Sequence, residues 1–448
     1  MFLPHTETER KEMLKTIGVD KLEDLFLDVP EACRYPDLNI PAALTEMEVS
    51  AEIQGLAMAN ESTHDLICFL GAGVYNHYIP SAVDSIIRRG EFFTAYTPYQ
   101  PEISQGTLQA IFEYQSLISN LTGMEVCNAS HYDGATAAAE AVILAYHHFR
   151  GKRKKIILSP SLHPHYRATI RTYLQGMADL EIVGDDADPM VGPEYFISLL
   201  DNNTAIVIVQ YPDFFGRVQD FSKLAEAVHQ AGGLLSISVN PLSLGLLKPP
   251  GEFGADIVTG EGQPLGIPLS MGGPYLGLFA TKVEFVRKVA GRLVGETVDQ
   301  DGKRGYVLTL TAREQHIRRE KATSNICTNQ GLLALTSTLY LSLLGKSGLH
   351  QVANLCYQKA HYAAKAIAAI PGFKICTPEP FFNEFIICGP QPAEEINAHL
   401  LDHGILGGYD LSKDYPTLKN HMLVAVTEMN SREDIDIFCN VLQEASHA

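Results

Sequence analysis

The sequence has no CxxC pair. Its eight cysteines are scattered through 448 residues, which argues against a disulfide framework or a structural zinc site and for a reducing compartment. Positive charge is scarce: 34 Lys and Arg stand against 52 Asp and Glu, a formal charge of −18. Such a chain has little electrostatic hold on nucleic acid or anionic membrane, although a local basic site for a small anion is compatible with it. The N-terminus, MFLPHTETERKEM, lacks a basic start followed by an apolar core, so no secretory signal is expected and the cytoplasm is the expected compartment. The most apolar stretch, 331–345, is broken by Thr and Ser and is expected to be too short and too polar to span a bilayer. No Gly-x-Ser-x-Gly elbow occurs. The Gly-Lys-Ser at 345–347 lacks the first glycine of a P-loop, because Tyr340 stands there and no strand precedes it. The Gly-Ala-Gly at 71–73 lacks the third glycine of a dinucleotide fingerprint and is expected to be a turn. His147-His148 and His163-Pro164-His165 have no Cys or carboxylate at ligand spacing, so no metal is expected there.

What is present is enough apolar material, 46% of residues, for a full-sized core of two to three domains. Residues 1–64 are expected to form a helical arm, in which Leu14, Leu22, Leu25 and Leu27 alternate with charges and Pro30, Pro36 and Pro41 break the segment. Such an arm packs over another surface, a partner subunit included. Residues 65–330 alternate strand-length apolar runs with helical periodicity. Strands are expected at 154–159, 180–184, 205–210, 234–239, 255–258 and 275–280, and helices at 107–121, 136–149 and 221–231. Unbroken Val/Ile/Leu runs imply strands buried on both faces, hence an α/β fold with a mostly parallel sheet covered by helices. Residues 331–448 are expected to supply a long helix and a smaller α/β domain. Its short strands fall at 373–376, 385–388 and 422–426 and its helices at 393–403 and 432–445, the last with an Asn430…Glu433 cap.

Three segments carry more polar and turn-forming residues than a fold needs. Residues 95–106, AYTPYQPEISQG, set Tyr96, Tyr99, Gln100 and Glu102 around two prolines that stiffen the loop. The competing reading is a proline-rich surface loop. Residues 128–136, NASHYDGAT, precede a helix whose free N–H groups suit an anion, or merely a capping residue. Residues 311–330 gather Arg313, His316, Arg318, Arg319 and Lys321 before a small polar run, Thr-Ser-Asn-Ile-Cys-Thr. A solvated basic helix face is the plain alternative to an anion or carboxylate site.

Together the motifs FLGAGVYNHYIP (69–80), YTPYQPEISQG (96–106), HYDGATAAAEA (131–141), LKPPGEFGADIV (247–258) and REQHIRREKATSNICT (313–328) closely resemble one family. It is the P-protein of the glycine cleavage system, glycine dehydrogenase (decarboxylating). The resemblance spans nearly the whole chain and implies the fold-type I architecture of pyridoxal phosphate enzymes. Some family members are one long chain with two similar halves and others are split into two subunits. This chain is similar to the N-terminal half, the alpha subunit of the split form.

A pyridoxal phosphate enzyme needs a lysine for the Schiff base and an acidic group at the pyridinium nitrogen. In the cofactor-bearing half of the family the lysine lies in an Asn-Leu-His-Lys-Thr segment before an Ile-Pro. The matching stretch here is GEGQPLGIP at 260–268. Gln263 falls where the lysine would be, and Asn240 ends the strand where the aspartate would be. An amide forms no imine, and Asn holds no pyridinium proton by charge. The resemblance therefore implies that this chain binds no cofactor productively and that a beta subunit carries it. In the pair, glycine would condense with the cofactor, lose CO2 and pass its aminomethyl group to the lipoyl arm of H-protein. The residues expected to wall the shared cleft are Tyr96, Tyr99, Gln100, Glu102, Ser324 and Asn325. Arg318, Arg319 and Lys321 are expected contacts for an anion, either the cofactor phosphate or an acidic partner. Two other readings compete: a degenerate scaffold or regulatory subunit, and a self-sufficient lyase using Lys248 or Lys282, both of which flank strands at positions that suggest the surface.

Overall fold

The computed structural model describes residues 5–445 except Ala95, Ala178, Met271 and Glu379. The chain divides into two compact units, Met1–Glu61 and Ser62–Ala448. Ala95, the first residue of the proline-stiffened segment, lies outside the described residues.

In the first unit, helices Glu7–Ile17 and Glu46–Met58 each begin with a reciprocal capping box, Thr6 with Glu9 and Thr45 with Glu48. Gly18, at φ +90°, ends the first helix. Arg34 donates to the carbonyls of Val29 and Leu27 and holds the turn between them. None of the described side chains here is buried. Ile17, Leu22, Leu27, Leu38, Ile40, Met47, Ile53 and Leu56 all face outward.

The second unit is built on a seven-stranded sheet. Its spatial order is Val126–Cys127, Gly277–Thr281, Ile257–Glu261, Leu234–Val239, Thr204–Tyr211, Lys155–Leu158 and Glu181–Val183. Successive side chains enter different cores. Ile156, Leu158, Ile206 and Ile208 pack with Ala137, Ala138, Ala141 and Ala145 of helix Gly134–His148. Ile157, Val207, Val209 and Ile237 pack with Tyr114 and Ile118 of helix Gln105–Thr122 on the other face. This two-sided burial is why the strands read as unbroken apolar runs. Five of the six expected strands run parallel. Gly277–Thr281 is antiparallel to both its neighbours, because the link from Glu261 returns without the helical crossover that a parallel pairing requires. The hairpin Val294–Val298 with Arg304–Leu308 was not evident from the sequence.

The long helix is Gly331–Ala368, interrupted at Gly345 by non-helical angles (φ +57°, ψ −173°). By length and composition it is the one described helix apolar enough to cross a membrane, although the kink at Gly345 divides it into two helices. However, 44% of its most apolar window is buried inside the protein, as for a core helix. Its first half enters the sheet core through Ala334, Tyr340 and Leu341. Its second half enters a separate core through Ala360, Ala363 and Ile367.

That second core is covered by an antiparallel four-stranded sheet ordered Lys374–Ile375, Glu384–Cys388, His421–Ala425, Tyr409–Asp410. The start of the second unit belongs to it as well. Ile67–Cys68 pairs with Ile405–Leu406, and Phe69 stacks on Phe438 at 4.1 Å. The cap of helix Arg432–Ala445 is one residue later than expected. Ser431 and Asp434 bond reciprocally, while Asn430 turns back to the Thr427 N–H and the Cys68 carbonyl.

The two cores meet at Gly216, whose φ is +84° and whose added Cβ would lie 2.0 Å from the Glu384 carbonyl oxygen. Gly302 also has positive φ but faces open space. Gly302→Ala is therefore expected to cost about 1 kcal/mol of backbone strain. Gly216→Ala is expected to cost about 3 kcal/mol, because strain and overlap with immobile backbone add. Urea denaturation midpoints of the two variants check this ordering.

Candidate functional site

In an open α/β sheet, ligands bind beyond the carboxyl ends of the parallel strands. Here those ends carry Gln210, Asn240 and Glu261, facing the N-terminus of helix Gly134–His148. Asp133 caps that helix through the Thr136 N–H, at 2.8 Å. The Gly134 N–H, free to hold an anion, donates to Glu261 Oε2 at 3.0 Å. Glu261 Oε1 accepts from the N–H groups of Gln263 and Leu276, each at 3.1 Å. Burial still outweighs these donors and raises the Glu261 carboxyl to about 7. The position needs glycine: a Cβ on Gly134 would lie 2.1 Å from the Tyr166 hydroxyl oxygen.

Gln263 is saturated. Its Oε1 accepts from the Tyr75 N–H, and its Nε2 donates to the carbonyls of Tyr75 and Ile267, each at 2.9 Å. Asn240 caps the next turn through the Leu242 N–H. His163 accepts from the His165 N–H at Nδ1, so Nε2 carries the proton donated to the Ala72 carbonyl. Its ring stacks on Tyr166 at 5.0 Å. Burial brings His163 down to about 4, which keeps it neutral. The space left between these groups is about 30 Å³, room for water only.

The turn at 71–73 closes one side. The Ala72 N–H and the Tyr75 hydroxyl donate to the two oxygens of Glu384, at 2.7 and 2.6 Å. Burial raises Glu384 to about 7 as well. Tyr75, Tyr166, Glu261 and Glu384 were all missed from the sequence. Each sits in an ordinary apolar or loop context, and only the fold makes them neighbours.

The three polar segments do converge, in a second place. Thr97 and Thr328 bond through their hydroxyls at 3.2 Å. Asn329 and the Gln330 N–H bond to Ala129 and Ser130, and the Cys327 N–H donates to the Tyr132 hydroxyl. Ser324 donates to Glu140 at 2.8 Å. Tyr99 is anchored, its hydroxyl accepting from Arg292 at 2.7 Å and its ring lying under that guanidinium. Arg292 forms an ion pair with Glu314, both almost fully buried. This pair also went unread, since neither residue stands in a distinctive motif. Tyr96 meets Tyr99 edge-on at 6.2 Å and is 78% exposed. Gln100, Glu102 and Asn325 are exposed. Residues 311–330 do not form the basic helix considered as an alternative. They fold into three short turns, Thr311–Arg313, Gln315–Arg318 and Arg319–Lys321, with Arg319 at φ +52°. Arg319 faces a cavity beside Ser324 and Asn325, whereas Arg318 and Lys321 line the adjoining one.

Two groups of described residues place three metal-type ligand atoms together: His77, Cys356 and Glu428, and His399, His403 and Glu444. In the buried group the Glu428 carboxylate already bonds to His77 and the Tyr78 N–H. Lys282, half-buried, pairs with Asp256. It follows Thr281, which pairs with Ile257, whereas Glu261 pairs with Gly277, so Lys282 lies at the opposite end of the sheet from Gln263. Lys248 lies over the Phe253 ring.

A mostly parallel sheet between helical layers, with a small antiparallel domain and a strand-end pocket facing a helix N-terminus, is the architecture of fold-type I pyridoxal phosphate enzymes. Glutamate decarboxylase from Lactobacillus brevis shares it at a TM-score of 0.70 over 92% of this chain and 95% of that one, with 12% identity, a likeness of fold alone. The model of the glycine cleavage system P-protein family matches residues 1–442, and the chain belongs to that family. It is 53% identical, over the full length of both, to a probable glycine dehydrogenase (decarboxylating) subunit 1 from Thermomicrobium roseum. A crystal structure of glycine decarboxylase (P-protein) of the glycine cleavage system, in inhibitor-bound form, is 43% identical and superposes at a TM-score of 0.91 over 99% of both chains.

The residues at the strand ends do not fit pyridoxal phosphate. Glu261 fills the helix N-terminus that a phosphate would need, and Tyr166 crowds Gly134. A lysine alone would not undo this. Gln263→Lys, titrated with pyridoxal phosphate, is expected to develop no visible aldimine absorption; a band fixed by borohydride would overturn the steric account.

Glu384 is raised in the folded chain, so between about pH 4.5 and 7 the folded state holds more protons than the unfolded one, and stability falls as pH rises. The loss is on the order of 3 kcal/mol, complete above pH 7. Glu384→Gln is expected to flatten the decline in unfolding free energy between pH 5 and 8, measured by denaturant titration.

Proposed function

We propose that this chain is the non-cofactor, alpha subunit of a glycine dehydrogenase (decarboxylating). Paired with a beta subunit that carries the lysine and pyridoxal phosphate, it would release CO2 from glycine and pass the aminomethyl group to the lipoyl arm of H-protein, in the cytoplasm. One observation supports the reading: Glu261 is bonded to the N-terminus of helix Gly134–His148, and Gln263, which the resemblance sets in the place of the Schiff-base lysine, is bonded into the chain itself.

In this reading the 96–102 loop is this chain's wall of the shared cleft. Tyr99 is held by Arg292, and Arg292 by Glu314, so the loop is preorganised from behind. Tyr96, Gln100 and Glu102 project outward from that anchored base, available to a partner surface. Ser324 and Asn325 flank the same edge. The work of these side chains is to orient the glycine carboxylate and keep water from the reacting carbon. The outward apolar side chains of the 1–64 arm support its packing over the partner subunit. Residues 65–330, apart from the 67–69 segment that joins the small domain, serve as the large domain, and 331–448 as the long helix and small domain.

Glycine–bicarbonate exchange is expected only when both chains are mixed; exchange by this chain alone at the rate of the pair would sink the proposal. Tyr99→Phe and Glu102→Gln are each expected to lower kcat by about tenfold while co-purification with the beta subunit is unchanged. Unchanged turnover in both variants would instead favour the scaffold or regulatory reading.

A further inference from the structure

Beside helix Gly134–His148 lies a cavity of about 140 Å³ whose lining includes Arg287, Lys288, Arg313, Arg318 and Lys321. In a chain with 52 carboxylates for 34 Lys and Arg, a cation without a partner is unusual, yet none of these five forms an ion pair among the described residues. Lys288 bonds only to His148 Nδ1. The nearby carboxylates Glu284 and Glu320 are exposed and pair with none of them. The one acid in the lining is Glu140. Its Oε1 accepts from Ser324, and burial raises it to about 7, so at neutral pH it supplies only part of a charge. His147, also in the lining, is shifted toward neutrality by burial.

Arg313 lies at the base of this cavity. Its Nη1 donates to the Val289 carbonyl, while Nε and Nη2 are buried with no partner. Burial, and secondarily the Arg292 charge, lower this guanidinium to about 10, still protonated at neutral pH. A buried guanidinium edge with two unmet donors is costly unless an acceptor meets it. The volume is several times the roughly 30 Å³ share of one water, and Ile143 and Leu144 form an apolar wall.

We propose that this cavity is a binding site for a phosphate-class dianion, inorganic phosphate or a phosphate monoester. Arg313 supplies charge at the wall of the cavity, and Arg287, Lys288, Arg318 and Lys321 balance the dianion from around it. Arginine forks match such oxyanions in geometry, and a dianion answers two of the five charges where a monovalent carboxylate answers one. The site stands on charge placement and holds whatever the role of the subunit pair.

The test is calorimetric titration of the full chain with inorganic phosphate at constant ionic strength. One saturable site per chain is expected. Arg313→Gln should weaken it by at least about tenfold. So should Arg318→Gln combined with Lys321→Gln, both exposed. Lys365→Gln, an exposed charge on the long helix, should leave it unchanged. Absence of saturable binding up to about 10 mM, or equal affinity in all variants, overturns the proposal. Titrating the assembled pair separates the two sources. A site still open to added phosphate takes a free ligand; one closed only when the beta subunit is loaded with cofactor takes that cofactor's phosphate.

Discussion

On helix Gly134–His148, the N-terminal N–H that could grip a phosphate grips the chain's own Glu261 carboxylate. The consequences spread from that bond. Glu261 also receives the Gln263 and Leu276 N–H groups, which ties the end of strand Ile257–Glu261 to the start of its antiparallel neighbour. Gln263, held in register, sews the backbone of Tyr75 to that of Ile267. Tyr75 in turn reaches Glu384 in the small domain. A cofactor cradle has become a structural joint, and the charge a ligand would bring is supplied by a side chain that burial makes reluctant to ionise.

The joint is satisfied without a ligand. An unpaired lysine in this pocket would be a buried charge. A glutamine with both ends satisfied offers three hydrogen bonds and no charge. Asn240 likewise trades a carboxylate for a local cap. In the proposed function the chain's contribution lies instead at the edge where Thr97 meets Thr328 and Tyr99 rests on the Arg292–Glu314 pair.

Much of this was legible from residues alone, and particular elements show why. Strand Leu234–Val239 and helix Arg432–Ala445 have the limits expected from their patterns, because burial on two faces or on one stripe writes a strong periodicity. The absence of a usable lysine at 263 is likewise a local fact of residue chemistry. The antiparallel turn of Gly277–Thr281 was not legible, since a buried strand has the same composition in either direction. Nor was the Ser431 cap, because Asn430 offers the same local chemistry one residue earlier and is diverted by a carbonyl at Cys68.

The sequence by itself determined the alternating α/β plan, the two-sided burial of the strands and the family likeness. Each depends on residue type and spacing along one segment. Tertiary structure alone decided that Glu261 fills the helix N-terminus, that Glu384 receives Tyr75 from more than 300 residues away, and that five cations with no ion pair among the described residues surround one cavity. Those facts depend on which segments the chain brings within hydrogen-bonding or Coulombic reach, and no local pattern encodes a distance between residues remote in sequence.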